Sequence, residues 1–221
     1  MKNRFKTAFP YVAPFAAWML LQMTLPPTAA AYAARTALAG LVGAACLIVR
    51  RKSLSFPPSG RTVLAGLMTG LLVYLLWVAP EYSLWYQTWL TLPLGTPPPA
   101  PTPSPYEPAV CGGLLTAVKL FGSAFVIAPA EEFFFRSYLY RRLQARDFRA
   151  VPLSRFDLSA FLWMTLLFTL EHNRPVVAAL AAAFYGLLAI RRGIGAAVIA
   201  HVTTNLVLGL HVIYRQEWWF W

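Results

Sequence analysis

The chain has 221 residues, of which 58% are hydrophobic and only 12% charged, with a formal net charge of +11. Soluble domains carry about a quarter charged residues, so this composition excludes an ordinary soluble domain, and the length leaves no room for a second folded domain beside one membrane domain. The basic excess does not indicate nucleic acid, because the basic residues sit between apolar blocks, where the positive-inside rule puts them.

In chain order, Lys2, Arg4 and Lys6 precede an apolar stretch over residues 11–25, followed by Pro26, Pro27 and an alanine-rich run. That order imitates a secretory signal peptide. Pro10, Pro14, Trp18 and Gln22 interrupt the apolar stretch, however, and the alanine run continues into the next block, so an uncleaved first span is expected, with cleavage as the alternative. Further blocks cover residues 28–49, 62–79, 110–130, 158–171, 175–190 and 194–214. A helix rises ~1.5 Å per residue and the hydrocarbon core is ~30 Å thick, so blocks of this kind read as membrane spans. Residues 92–108 contain prolines at 93, 97, 98, 99, 101, 103, 105 and 108. Proline lacks the N–H and fixes φ, so this run is expected to be an extended, polyproline-like connector outside the bilayer.

The expected fold is all-α, a polytopic membrane helical bundle of about seven transmembrane helices. Residues 1–109 are expected to form a three-span region ending in the proline-rich external loop, 110–214 a four-span core, and 215–221 an aromatic tail. Basic residues fall in every second connection: Lys2, Arg4 and Lys6; then Arg50, Arg51, Lys52 and Arg61; then Arg136, Arg141, Arg142, Arg146, Arg149 and Arg155; then Arg191 and Arg192. The remaining connections hold only Arg174 and, at the C-terminus, Arg215. A cytoplasmic N-terminus and an external C-terminus satisfy this alternation. Trp85, Trp89, Trp218, Trp219 and Trp221 would then form an aromatic belt on the outer interface. Cys46 and Cys111 follow no zinc or redox spacing, and no disulfide is expected.

Ionisable groups inside apolar blocks are costly and are functional candidates by default. Glu132 and Arg136 are spaced i, i+4 and share a helix face, acid before base. Glu131 points about 100° away, without an obvious partner. A carboxyl in apolar surroundings acquires the raised pKa of a general base working near neutral pH; the alternative is an interfacial salt-bridge cluster ending a span. His172 closes the fifth block four residues after Phe168, and taken alone it reads as a snorkelling interfacial residue. His201 and Asn205 lie one turn apart on one face of the last block, where both are able to donate to one small target, as an oxyanion site requires. The alternative for them is helix–helix hydrogen bonding. His211 reads as interfacial, and Arg35 and Lys119, both inside spans, have no assigned role.

Glu131-Glu132-Phe133-Phe134-Phe135-Arg136, then Phe168-Thr169-Leu170-Glu171-His172, then His201-Val202-Thr203-Thr204-Asn205 form a specific ordered combination. It resembles the CAAX-processing and bacteriocin-processing (CPBP) family of membrane proteins, also called Rce1-like or ABI. Pro10-Tyr11-Val12, the basic Arg50-Arg51-Lys52 turn and the ending from Asn205 through Trp221 resemble one bacterial subgroup, the CAAX prenyl protease-related proteins of exosortase (PEP-CTERM) sorting systems. The resemblance implies an intramembrane protease of the bacterial inner membrane, acting on a membrane protein or peptide, with an exosortase-type partner and without prenylated substrates. It implies that Glu131 is the general base, that His172 positions the attacking water, that His201 and Asn205 stabilise the oxyanion, and that Glu132 and Arg136 hold the site. Many family members have Gly after this Arg; Ser137 stands here and is small enough to keep a close helix contact. No cofactor is implied. Zinc is the alternative, because one Glu and two His are acceptable ligands, although no His-Glu-x2-His motif is present and Asn is a poor zinc ligand. A non-enzymatic scaffold in a sorting or polysaccharide system is the other. One tension follows from the spans: Glu131 falls near the cytoplasmic end of the fourth and His172 near the outer end of the fifth. They meet only if the fourth helix runs on through about Leu143, or if the fifth is short and tilted.

Overall fold

The computed structural model describes residues 2–50, 59–83 and 103–221. Arg51, Lys52, Trp85, Trp89 and most of the proline-rich connector lie outside the described residues. Among the described residues seven main helices follow one another: α1 (Lys2–Thr24), α2 (Ala29–Arg50), α3 (Gly60–Val78), α4 (Gly113–Gln144), α5 (Leu158–Leu170), α6 (Pro175–Arg192) and α7 (Ile194–Arg215). Five of them, α2, α3, α4, α6 and α7, are long and apolar enough to cross a membrane. α1 begins in a basic segment and contains Pro10 and Pro14. α5, at 13 residues, rises only ~20 Å. The chain is thus an all-α, multi-pass membrane protein, with the fifth helix short as its thin apolar block suggests.

Local chemistry sets the ends. Ser59 and Asp157 accept backbone N–H groups at the starts of α3 and α5, satisfying donors that a helix N-terminus leaves orphaned. Pro175 opens α6, where its missing N–H costs nothing. Pro108 likewise opens a short helical turn, Pro108–Cys111, so helix resumes within the last residue of the expected extended connector. Gly193 alone separates α6 from α7, at φ 87°, a conformation natural to glycine.

The close contacts give the helix directions. Gly66 and Gly70, one turn apart on α3, let that backbone approach α7 until an added Cβ would lie 2.7 Å from Ile199 and 2.5 Å from the Ala200 carbonyl oxygen. Small residues at i and i+4 are a recurring device for packing membrane helices. The pairing order makes α3 and α7 parallel. Thr36 against Gly122 and Gly40 against Val126 make α2 and α4 parallel, and Glu132 to His201 with Ser123 to Asn205 make α4 and α7 antiparallel. The ends of α2, α4 and α6 therefore share one end of the bundle with the starts of α3 and α7. The helix termini carrying Arg50, Arg61, Arg141, Arg142, Arg191 and Arg192 collect there.

Three sequence expectations change. The fourth span does not stop near Ala130 but continues to Gln144, so Arg136 is not in a connection: it is 1% exposed, mid-helix. The C-terminal aromatics do not form a simple belt. The turn Trp218–Phe220 folds back, and Trp218 and Phe220 are buried against Val78, Leu208 and Val212. His211 is not a bare interfacial residue; it bonds the Tyr74 hydroxyl at 2.9 Å and Glu217 at 2.8 Å.

Candidate active site

On α4 two wide turns bracket two adjacent acids. Pro129 has no N–H, and its ring crowds the carbonyl four residues back, that of Phe125. The helix widens into a π turn over Ser123–Ile127 immediately before it. A second π turn covers Phe133–Leu139, and there Arg141 Nε donates to the Ser137 carbonyl at 2.6 Å. Such turns are common at functional sites, because they rotate side chains out of the regular helical register.

Glu131 and Glu132 lie between the two, 9% and 0% exposed. Glu132 Oε1 is 3.0 Å from Arg136 Nη1, the i, i+4 pair expected from the spacing. The guanidinium lies 4.3 Å from the centroid of the Phe168 ring and donates to the Ala182 carbonyl at 3.4 Å. Glu131, read from spacing as partnerless, has a neighbour from α7. His201 reaches between the two acids, with Nδ1 2.8 Å from Glu132 Oε1 and Nε2 3.6 Å from Glu131 Oε2. A carboxylate paired with a guanidinium accepts and does not donate, so Nδ1 is the donor, and in a neutral imidazole Nε2 presents its lone pair toward Glu131.

The other two candidates converge on the same space. His172 Nδ1 lies 2.8 Å from the Phe168 carbonyl oxygen. It therefore donates, and Nε2 is left as an acceptor. Asn205 Nδ2 donates to the Ser123 carbonyl at 3.1 Å, which uses one of its two N–H groups. Glu131, His172, His201 and Asn205 all line one cavity of about 280 Å³, and Glu132 and Arg136 are sealed behind it. The tension over Glu131 and His172 resolves in the first of the two ways, because α4 runs to Gln144 and Glu131 sits mid-helix.

Several participants carry no clear signal in the sequence. Glu171 also lines the cavity, and its Oε1 is buried without a hydrogen-bond partner; its only mark is its place beside His172. Tyr185 stacks on the His201 ring at 4.7 Å and donates to the Thr204 hydroxyl at 2.7 Å. Thr204 donates in turn to the Gly70 carbonyl at 2.9 Å, which ties the histidine to the α3–α7 contact.

Residues 113–207 match the family model described as type II CAAX prenyl endopeptidase Rce1-like. This stretch is an Rce1-like domain. The chain matches no curated protein and no solved structure. The Rce1-like domain runs from the start of α4 into α7 and contains every candidate named above, from Glu131 to Asn205. The family is one of intramembrane CAAX-type endopeptidases. Helices outside the domain complete the cavity: Phe15, Trp18 and Gln22 of α1, Tyr32 of α2, Trp77 of α3, and Phe220 with Trp221 of the tail. At the end of the bundle opposite the basic helix termini, Arg174 Nε meets Glu81 at 2.6 Å and Nη2 donates to the Trp219 carbonyl at 3.2 Å. Glu217, just past α7, accepts from Tyr82 and His211. Burial raises the Glu217 carboxyl, but these hydrogen bonds and the charges of His211 and Arg215 outweigh it and hold the group below the ordinary carboxylate range. The tail is thereby latched over the cavity.

Proposed function

We propose that the chain is a glutamate-dependent intramembrane endopeptidase hydrolysing a peptide bond of a membrane-associated protein or peptide. The observation that carries this reading is the convergence of Glu131, His172, His201 and Asn205, from α4, the α5–α6 connection and α7, on one cavity inside a membrane bundle. Glu131 takes a proton from water oriented by His172 Nε2. The hydroxide adds to the scissile carbonyl, His201 and the free N–H of Asn205 hold the oxyanion, and Glu131 returns the proton to the leaving nitrogen. Donation from His201 Nε2 requires one more proton on the Glu132–His201 pair than the resting neutral imidazole carries. Arg136 fixes Glu132, and Glu132 fixes the ring.

We read the end opposite the basic termini as the external face of a bacterial inner membrane, with the N-terminus cytoplasmic and an exosortase-type system as the partner process. Zinc would require Glu131, His172 and His201 to share one ion, and among the described residues no group of three such side chains is placed to hold one. The test is Glu131→Gln in the producing strain, with the membrane and surface proteome compared to those of a deletion strain. Processing should be lost, by roughly a hundredfold or more in rate, with the variant still accumulating in the membrane. Normal processing by Glu131→Gln would remove the reading and leave a scaffold. Activity should also survive dialysis of the purified protein against a strong chelator; its loss, with rescue by zinc, would reassign the two histidines as ligands.

A further inference from the structure

One end of the cavity carries charge that the hydrolytic reading does not use. Lys119, on α4 three turns before Glu131, lines the cavity. Its Nζ lies 4.2 Å from the ring centroid of Tyr32, 4.7 Å from that of Tyr106 and 5.9 Å from that of Trp221. Arg35, 5% exposed, lies behind the same wall, its guanidinium 5.0 Å from the Trp18 ring and 5.6 Å from the Tyr32 ring. Its Nε is buried without a hydrogen-bond partner. Among the described residues neither cation forms an ion pair. Aromatic faces attract cations, but two basic side chains sharing one ring inside a membrane bundle, with no acidic partner among the described residues, are a costly arrangement that marks function. The open space beside Lys119 belongs to the same cavity as Glu131. Trp18, Tyr32, Arg35, Tyr106 and Trp221 all lie outside residues 113–207, so apart from Lys119 these residues come from the parts of the chain beyond the Rce1-like domain.

We propose that the Lys119–Arg35 end of the cavity is a subsite for a carboxylate of the substrate, terminal or side-chain, which anchors the peptide while the scissile bond lies at Glu131. The proposal rests on the hydrolytic reading of that cavity. Twelve residues of helix separate Lys119 from Glu131, about 18 Å between Cα atoms, a span that about five extended residues cover. A peptide carrying its anion within a few residues of the cleaved bond fits this distance.

The test measures binding to purified full-length Glu131→Gln protein in detergent, read by quenching of tryptophan fluorescence. The probes are N-acetylated apolar hexapeptides of Leu and Val: one with a free C-terminal carboxylate, one amidated, and one amidated with a single internal glutamate. The free acid or the glutamate peptide should bind at least roughly tenfold tighter than the plain amide, the scale of one charge-assisted contact. Which of the two does so identifies the source of the carboxylate. Lys119→Gln and Arg35→Gln should each erase the difference while the amide binds as before. Equal binding of all three peptides, or none, overturns the proposal without needing any variant to fold. Preferential displacement of all three by phosphatidylglycerol over phosphatidylcholine overturns it in favour of a lipid phosphate. Because Glu131→Gln protein is used, failure here leaves the hydrolytic reading to its own test.

Discussion

His201 is the side chain on which both acids converge, and the consequences differ for each. Glu132 and Arg136 are fully buried partners, so Glu132→Gln strands a guanidinium in a low-dielectric interior. Breaking a buried pair costs about 3–5 kcal/mol. Glu132→Gln and Arg136→Ala should therefore lower membrane accumulation and the detergent melting temperature, whereas Glu131→Gln should lower activity alone. Western blotting of membranes beside a thermal scan separates the two classes, and equal accumulation of all three variants would contradict the assignment. The proposed role of Glu131 also predicts a pH-dependent kcat/KM. Activity falls at low pH, where protonation of Glu131 destroys the base. A profile with no acid limb would exclude Glu131 as the base.

At the level of helices, the α3–α7 contact sets where the α7 donors sit. Gly70 touches the Ala200 carbonyl and Thr203, and Thr204 bonds back to the Gly70 carbonyl. An added Cβ has no room there, because the nearest atom is backbone. Gly70→Val should cost about 1–3 kcal/mol through overpacking and should displace His201 with α7, lowering both melting temperature and activity. Gly60→Ala is the matched control: it lies on the same helix with nothing within 4 Å of the added Cβ, and its melting temperature should not fall. The pair of glycines is visible in the sequence as Gly-x3-Gly, but the pattern names no partner helix. The two π turns of α4 are less legible still. Pro129 signals a break, and whether the chain answers with a kink, an end or a wider turn depends on what packs around it.

For the whole molecule, helix direction sorts the termini rich in Arg to one end of the bundle and the Glu81–Arg174 and Glu217 contacts to the other. The positive-inside rule leads us to propose that the first end is cytoplasmic. Reporter fusions after Trp221 and within residues 92–108 should read as external, and fusions within residues 145–155 as cytoplasmic. An external signal from residues 145–155 would invert the arrangement, because Arg141, Arg142, Arg146, Arg149 and Arg155 would all lie on the outer side. The expected charge alternation survives the correction to Arg136, since five basic residues still mark the end of α4 and the connection that follows.

The sequence by itself determined the helical membrane class, the order of the helices and the i, i+4 pairs, because apolar block length and helical periodicity are local properties that no packing partner alters. Glu132 with Arg136 was legible for that reason, as was the shared face of His201 and Asn205. Only the tertiary structure decided that Glu131 and Glu132 meet through one imidazole, that Glu171 and Tyr185 join the site, and that the aromatic tail turns inward over the cavity. Each of these depends on which helix faces which across the bundle. That is set by glycine contacts, wide turns and aromatic volumes acting between residues far apart in the chain, and the spacing of the residues does not encode it.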